Sequence, residues 1–299
     1  MSVMLGALRS TRPEDVRSNA RHAEDLGIDA VFVGDHLVAA VPVLDSTLTL
    51  ATVAAVTDRI SIGFGVMLPA LRGAAWAAKQ IATLQLLSNN RVILGVGSGG
   101  DVHGRAGWDA TGVPYRQRGA RTDETLAALR PLIAGELTTL PSGATVTLAP
   151  GAPVPPIWIG GASPVALRRA AEHGTAWFPS MVLPDEIAAG ARRLTEMAKA
   201  QGRPTPAIAV GTAAALGRDV PPSLLDSFVA GVRDYGVSAD CAPHLAITGT
   251  PAAAAARFAG YAAAGANHLV VGIIGDDWRR QCELLAEART LLNSAAMPS

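Results

Sequence analysis

ISIGFGVMLPALRGAAWAAKQIATLQLLSNNRVILGVGSGG, residues 60–100, holds one complete structural unit and the start of the next. Ile60–Leu68 is short, apolar and β-prone, which predicts a strand. Ala74–Leu87 carries its apolar residues at helical spacing, and Ser88-Asn89-Asn90 ends that helix. Val92–Val96 then predicts a second strand, which runs out into a glycine-rich loop. Strand, helix and strand in this order form a βαβ unit, the building block of a parallel sheet.

The same alternation extends in both directions. Toward the start, strands are predicted at Val3–Ala7 and Ala30–Val33, and helices at Pro13–Leu26 and Leu44–Thr57. The first helix has Thr11 or Arg12 near its cap, Glu14 and Asp15 in its first turn, and Gly27 as its stop. Toward the end, strands are predicted at Pro156–Ile159, Ala176–Pro179, Ala207–Thr212 and His268–Ile273. Helices fall at Arg116–Ala134, Pro164–His173, Asp185–Gln201, Leu224–Tyr235, Pro251–Ala264 and Asp277–Asn293. Residues 136–155 read as a short hairpin insertion around Thr145–Leu148. Eight strands, each followed by a helix, with no break in composition, predict an α/β fold: a single (β/α)8 TIM barrel over 1–299 with insertions after strands 4 and 7. An open doubly wound sheet is the competing architecture.

Composition narrows the function. The chain has 299 residues, 25 basic and 25 acidic, with only 17% charged and 49% hydrophobic. Zero net charge argues against nucleic-acid binding, and no basic stripe with interleaved aromatics occurs. No apolar run reaches the roughly 18 residues of a membrane span. The opening Met1–Gly6 lacks the basic region of a secretory signal, and Cys241 and Cys282 are too few and too far apart for a disulfide framework or a CxxC site. These features predict a cytoplasmic protein with reduced thiols.

Polar and glycine-rich clusters recur at the C-terminal ends of the predicted strands, where barrels bind ligands. They are Gly34-Asp35-His36, Gly63–Val66, Gly97-Ser98-Gly99-Gly100, Gly160-Gly161-Ala162-Ser163 and Ser180. Gly95–Gly100 matches GxGxxG, but the loop after it contains Pro114 and no helix opens inside the motif, so a dinucleotide fold is excluded. Its glycines serve either a tight turn or the close approach of a flat cofactor. Gly160–Ser163 before Pro164 is either a phosphate site at a helix start or a well-capped helix with Ser163 as N-cap. Asp35 and His36 are either a carboxylate orienting a proton-carrying imidazole or a satisfied structural pair. His22, His103, His173, His244 and His268 show no metal-ligand spacing, and no GxSxG elbow occurs.

In this order the clusters resemble the bacterial luciferase-like superfamily of flavin and deazaflavin oxidoreductases. The most specific pieces are Ser88–Gly99 and Pro155–Pro164; Arg118–Glu124, His173–Phe178 and Gly249-Thr250-Pro251 support them. The resemblance implies a (β/α)8 barrel and either FMN or the 5-deazaflavin coenzyme F420. Gly34-Asp35-His36 looks like the F420 branch, with Asp35 and His36 over the deazaflavin as catalytic residues. It implies a bulge in the third strand at Gly65 and Val66, with a cis peptide there in many members. Cofactor-binding positions are then Asp35, Gly65, Val66, Gly97 and Ser98, with Gly160, Gly161, Ala162 and Ser163 at the cofactor phosphate.

Two positions depart from that branch. Where its sugar-phosphate and alcohol dehydrogenases carry a tryptophan and a glutamate, this chain has Ala40 and Gly100, leaving Asp101 or His103 as substitutes. Trp108, Tyr115, Phe64 and Met67 are candidates for an apolar pocket or for core. The expected activity is hydride transfer between the deazaflavin C5 and a small organic substrate, in a homodimer. The alternatives are an FMN-dependent monooxygenase and a non-catalytic (deaza)flavin-binding protein.

Overall fold

The computed structural model describes residues 1–6, 12–39, 41–100 and 104–296. Along the first half run β1 (Ser2–Met4), α1 (Val16–Asp25), β2 (Ala30–Val33), α2 (Ser46–Ala54), β3 (Ser61–Met67), α3 (Ala74–Leu87) and β4 (Val92–Val96). Next come α4 (Ala106–Ala110), α5 (Arg118–Ala134), a small hairpin of β5 (Thr138–Thr139) and β6 (Thr145–Val146), and β7 (Ile157–Gly160). The remainder is α6 (Pro164–His173), β8 (Ala176–Phe178), α7 (Pro184–Ala200), β9 (Ala207–Leu216), α8 (Pro222–Asp234), α9 (Ala242–Leu245), β10 (Ala246–Gly249), α10 (Pro251–Ala263), β11 (His268–Ile273) and α11 (Trp278–Ala296).

Among the described residues, eight parallel strands close a ring in the order β1-β2-β3-β4-β7-β8-β9-β11 and back to β1. The closing pairs are Ser2 with Val270 and Val3 with Val271. The barrel expected from the alternation is therefore present, and the open sheet is excluded. Both expected insertions are present too: residues 97–117, with α4, follow β4, and residues 217–250 follow β9. The hairpin lies between α5 and β7, pairing Thr138 with Val146.

Three details differ from the sequence reading. The first strand ends at Met4, and its expected end, Ala7, lies outside the described residues, as does Thr11 of the first cap. β9 continues to Leu216, four residues beyond the expected end. That extension carries an additional parallel strand, β10, paired from Ala246–Ala213 to Gly249–Leu216. Four residues directly after a one-turn helix are too few to show a strand period, which is why β10 was not legible.

Side chains divide cleanly between the two faces of the ring. Ile62, Phe64, Leu94, Ile157, Ile159, Val210 and Val271 face the helices and form the main core with Ile81, Leu129, Leu132 and Leu285. Phe64 and Met67 belong to that core, fully buried, which removes them from the pocket candidates. Inside the ring sits a second cluster built on Phe32, Phe178, Ala209 and Val270, with Trp158, Ile93 and Met4 against it. The Phe32 and Trp158 rings stack 5.4 Å apart, and Trp158 meets both Phe178 and His268 edge-on at 5.4 Å. This aromatic plug fills the interior, and Gly63 makes room for it: a Cβ there would stand 2.3 Å from the Phe32 ring.

At the N-terminal end of the barrel, Arg91 ties neighbouring elements together. Its guanidinium donates to the carbonyls of Ala54, Thr57, Ile60 and Ser88 and to the Thr57 hydroxyl, clasping the end of α2 to the start of β3. Asn89 and Asn90, both left-handed with φ of 54° and 63°, turn the chain from α3 into that position. Asn tolerates this region better than most residues. The Ser88–Arg91 part of the recognised motif is thus architectural. Among the described residues no helix is long and apolar enough to cross a membrane. Cys241 and Cys282 are both free.

Candidate active site

Above the plug the barrel is hollow. Gly65, Gly97, Gly160, Gly211 and Gly272, each from a different strand or the residue just past it, line one cavity of about 590 Å³ at the C-terminal mouth. At Gly97, Gly160 and Gly211 a Cβ would collide with Val66 or Ser180, at 2.5, 2.9 and 2.8 Å. At Gly272 an added Cβ would meet only the Thr212 carbonyl, at 3.4 Å, so the glycine there leaves open space.

Val66 is the pivot of this mouth. β3 loses register against β4 between Phe64 and Met67, and the Gly65–Val66 peptide is cis. The bulge expected at these two residues is present. Through it, Val66 turns inward over three glycines: a Cβ on Gly95, Gly97 or Gly160 would lie 3.1, 2.5 or 2.9 Å from its methyl carbons. Gly95 is further required by the Phe64 carbonyl, 2.1 Å from such a Cβ, and Gly99, left-handed at φ 66°, by Trp108 at 2.9 Å. Of the two readings of the GxGxxG stretch, the glycines first serve the chain's own packing. Among the described residues, nothing lies within 4 Å of a Cβ on Gly100, alone of these glycines.

Asp35 is buried and its carboxylate is fully occupied. Arg72 binds it bidentately, with both nitrogens 2.6 Å from the oxygens. The Ser46 hydroxyl and the Leu68 amide each donate from 2.8 Å. Four donors match the lone pairs of a carboxylate, so this geometry suits holding a loop rather than carrying a proton. It ties the end of β2 to the chain leaving the β3 bulge. His36, one residue on, lines the cavity. Arg72 was not among the sequence candidates; its pairing bridges 37 positions, a separation at which no motif operates.

At the end of β7 the loop is held from both sides. Gly161 receives a hydrogen bond at its carbonyl from the Trp177 indole nitrogen, 2.8 Å away. Trp177 is pinned in turn by α7, where a Cβ on Gly190 would come within 2.1 Å of its ring. Ser163 caps α6 by accepting from the Ala166 amide at 3.2 Å. Gly160 and Gly161 line the cavity, whereas Ala162 and Ser163 sit exposed on the rim beside it.

The structure thus brings Asp35, His36, Gly65, Val66, Gly97, Ser98, Gly160 and Gly161 together around one space. Ala40, Asp101 and His103 lie outside the described residues. Trp108 lines the mouth; Tyr115 packs edge-on against it at 5.8 Å, with Arg118 stacked 4.0 Å over its ring. Ser180, expected on this face, lines the cavity; Met181, Gly211, Tyr235 and Gly272 line it too and were missed. Gly211 and Gly272 shared the signal of a glycine late in a predicted strand; Met181 comes from a segment with no period to read, and Tyr235 ends a helix, Leu224–Tyr235, that the sequence shows without showing that it reaches the mouth.

Comparison with known proteins bears on this mouth. A family model described as luciferase-like monooxygenase matches residues 3–219. The chain is 32% identical over 190 residues to a 5,10-methylenetetrahydromethanopterin reductase of Methanolobus tindarius, covering 62% of this chain and 55% of that one. It is 34% identical over 182 residues to an F420-dependent glucose-6-phosphate dehydrogenase of Beutenbergia cavernae, covering 54% and 51%. These matches span about half the length of the curated relatives. In three dimensions the chain superposes on an F420-dependent secondary alcohol dehydrogenase in complex with an F420-acetone adduct, with a TM-score of 0.85 and 18% identity over 97% of this chain and 98% of that one. It also superposes on a type II Baeyer–Villiger monooxygenase component of Pseudomonas putida in complex with FMN, with a TM-score of 0.77 and 16% identity over 100% and 99%. At these identities the superpositions speak for the fold.

Proposed function

We propose, from a chain that belongs to the luciferase-like monooxygenase family, an oxidoreductase that uses coenzyme F420 and exchanges a hydride with a small organic substrate. The observation that carries this reading is the hollow glycine-lined mouth with Val66 folded into it and His36 on its lining. A flat tricyclic ring needs an apolar shelf with no side chains in its way, and the mouth offers that shape. F420-dependent relatives support the choice of cofactor.

When bound, the deazaflavin supplies or accepts the hydride at C5; the protein supplies position and a dry site. Val66, with Gly65, Gly97 and Gly160, would support the ring, and Ser98 its polar edge. Gly160, Gly161, Ala162 and Ser163 would receive the phosphate, with Trp177 holding the loop still. His36 would give a proton to, or take one from, the substrate oxygen at its imidazole. Asp35, occupied by Arg72, Ser46 and Leu68, would keep the His36 loop in register with the Val66 bulge.

FMN with oxygen chemistry is the second reading, favoured by the FMN-bound neighbour of the same fold. Fluorescence titration of the purified protein with each cofactor separates the two. Tight F420 binding with at least tenfold weaker FMN binding supports the proposal, and the reverse order replaces it with the monooxygenase reading.

A further inference from the structure

Trp177 stands behind the loop that leaves β7. It is buried among the residues packed between the barrel and its helices. A buried indole N–H needs an acceptor, and this one finds the Gly161 carbonyl at 2.8 Å. The same glycine donates its amide to the Phe178 carbonyl at 3.3 Å, so β8 holds it at both ends.

Gly161 has φ 108°, where a residue without Cβ has no steric reason to keep one peptide plane. The indole supplies that reason. The Gly161–Ala162 peptide is trans, and in a trans peptide the carbonyl and the following N–H point in opposite directions. With the Gly161 oxygen turned back onto Trp177, the Ala162 N–H points away from the buried layer, toward the exposed rim beside Gly160 and Gly161. Turning the plane over would put the carbonyl oxygen there instead. An oxygen repels a phosphate where an N–H binds it.

This hydrogen bond is separable from the helix that follows. α6 is fixed by Arg169, whose guanidinium donates to Asp123 at 2.6 and 3.1 Å and to the Gly119 carbonyl at 3.0 Å, both on α5. Ser163 caps its first turn. The Trp177 ring is set from the other side by α7, where Gly190 presents bare backbone to it.

We infer that Trp177 is a positioning residue for the cofactor phosphate: its N–H selects the Gly161–Ala162 peptide plane that offers the Ala162 amide to the anion. The inference rests on the preceding reading, in which a ring-bearing cofactor fills the mouth with its phosphate at Gly160–Ser163.

The test is fluorescence titration of wild type and Trp177→Phe with F420 and its phosphate-free deazariboflavin, and with FMN and riboflavin, circular dichroism confirming the fold. The quantity read is the ratio of affinities within each pair. Wild type should prefer the phosphate-bearing form by about tenfold or more, the scale of hydrogen bonds to a charged group. Trp177→Phe should lower that ratio by about fivefold or more and leave the phosphate-free form within about twofold of wild type. A purely structural role would weaken both members of a pair alike; an unchanged ratio overturns the inference and leaves the cofactor reading standing. Gly190→Ala keeps the indole but pushes its ring off the carbonyl, so it should lower the ratio in the same way and replaces Trp177→Phe if that variant does not fold. Wild type with no preference in either pair overturns the phosphate placement, and the inference with it. A preference seen only for FMN over riboflavin, and lowered in the variants, supports the inference and overturns the F420 reading instead.

Discussion

Replacing His36 by alanine is expected to lower turnover by roughly 10²–10⁴, the usual effect of removing a general acid or base. Affinity for F420 should stay nearly constant, because Val66 and the Gly160–Ser163 loop are untouched; steady-state kinetics with a fluorescence titration checks both. Unchanged turnover with weakened binding would make His36 a cofactor contact. His268, at the other end of the same interior, has a different part. It lies 2.7 Å from the Ser2 hydroxyl and edge-on to Trp158. Burial pushes its imidazole down from an ordinary 6.5 to about 4. The unfolded chain therefore takes up a proton at a pH where the native chain does not, and stability falls as pH drops from about 6.5 toward 4. The loss amounts to roughly 3 kcal/mol if this group acts alone. His268→Gln should flatten that part of a stability-against-pH curve measured by urea unfolding at pH 7, 6 and 5.

At the scale of elements, Arg91 joins α2, α3 and β3 through the carbonyls of Ala54, Thr57, Ile60 and Ser88. Arg91→Ala leaves those acceptors without their donor and should cost about 2–4 kcal/mol, with Arg91→Lys recovering less than half. Denaturant midpoints read this directly, and cofactor binding by the folded fraction should be unchanged because the clasp sits far from the mouth. The Ser88–Arg91 motif was recognisable in the sequence, but its meaning was not: the guanidinium's partners lie as far as 37 residues away. The eight barrel strands were legible because each is bounded by turn residues and followed by a helical period. β10 was not, since a four-residue strand carries no period; the helix ending at Tyr235 was legible, but its place on the rim was not. The glycines of the mouth were legible as a cluster. The reason for Gly97 and Gly160, room for the inward-turned Val66, required the bulge to be in place first.

For the whole molecule, large apolar side chains stand exposed on two helices that pack together, α2 and α3. Leu48 on α2 is 71% exposed, and Trp76 and Leu87 on α3 are 69% and 68% exposed. A homodimer buried across these two neighbouring helices is the assembly we propose. Light scattering at micromolar concentration should then give about twice the 30.6 kDa of one chain, and Trp76→Glu should shift it toward the monomer. A wild-type protein that scatters as a monomer ends this proposal. The central claim is that the hollow mouth is an F420 site built around Val66. Its most direct test is a crystal structure of the protein soaked with F420. The account predicts the deazaflavin ring against Val66, its C5 on the side of His36, and its phosphate at Gly160–Ser163. A ring bound elsewhere, or a mouth filled by FMN in preference to F420 when both are supplied, would contradict it.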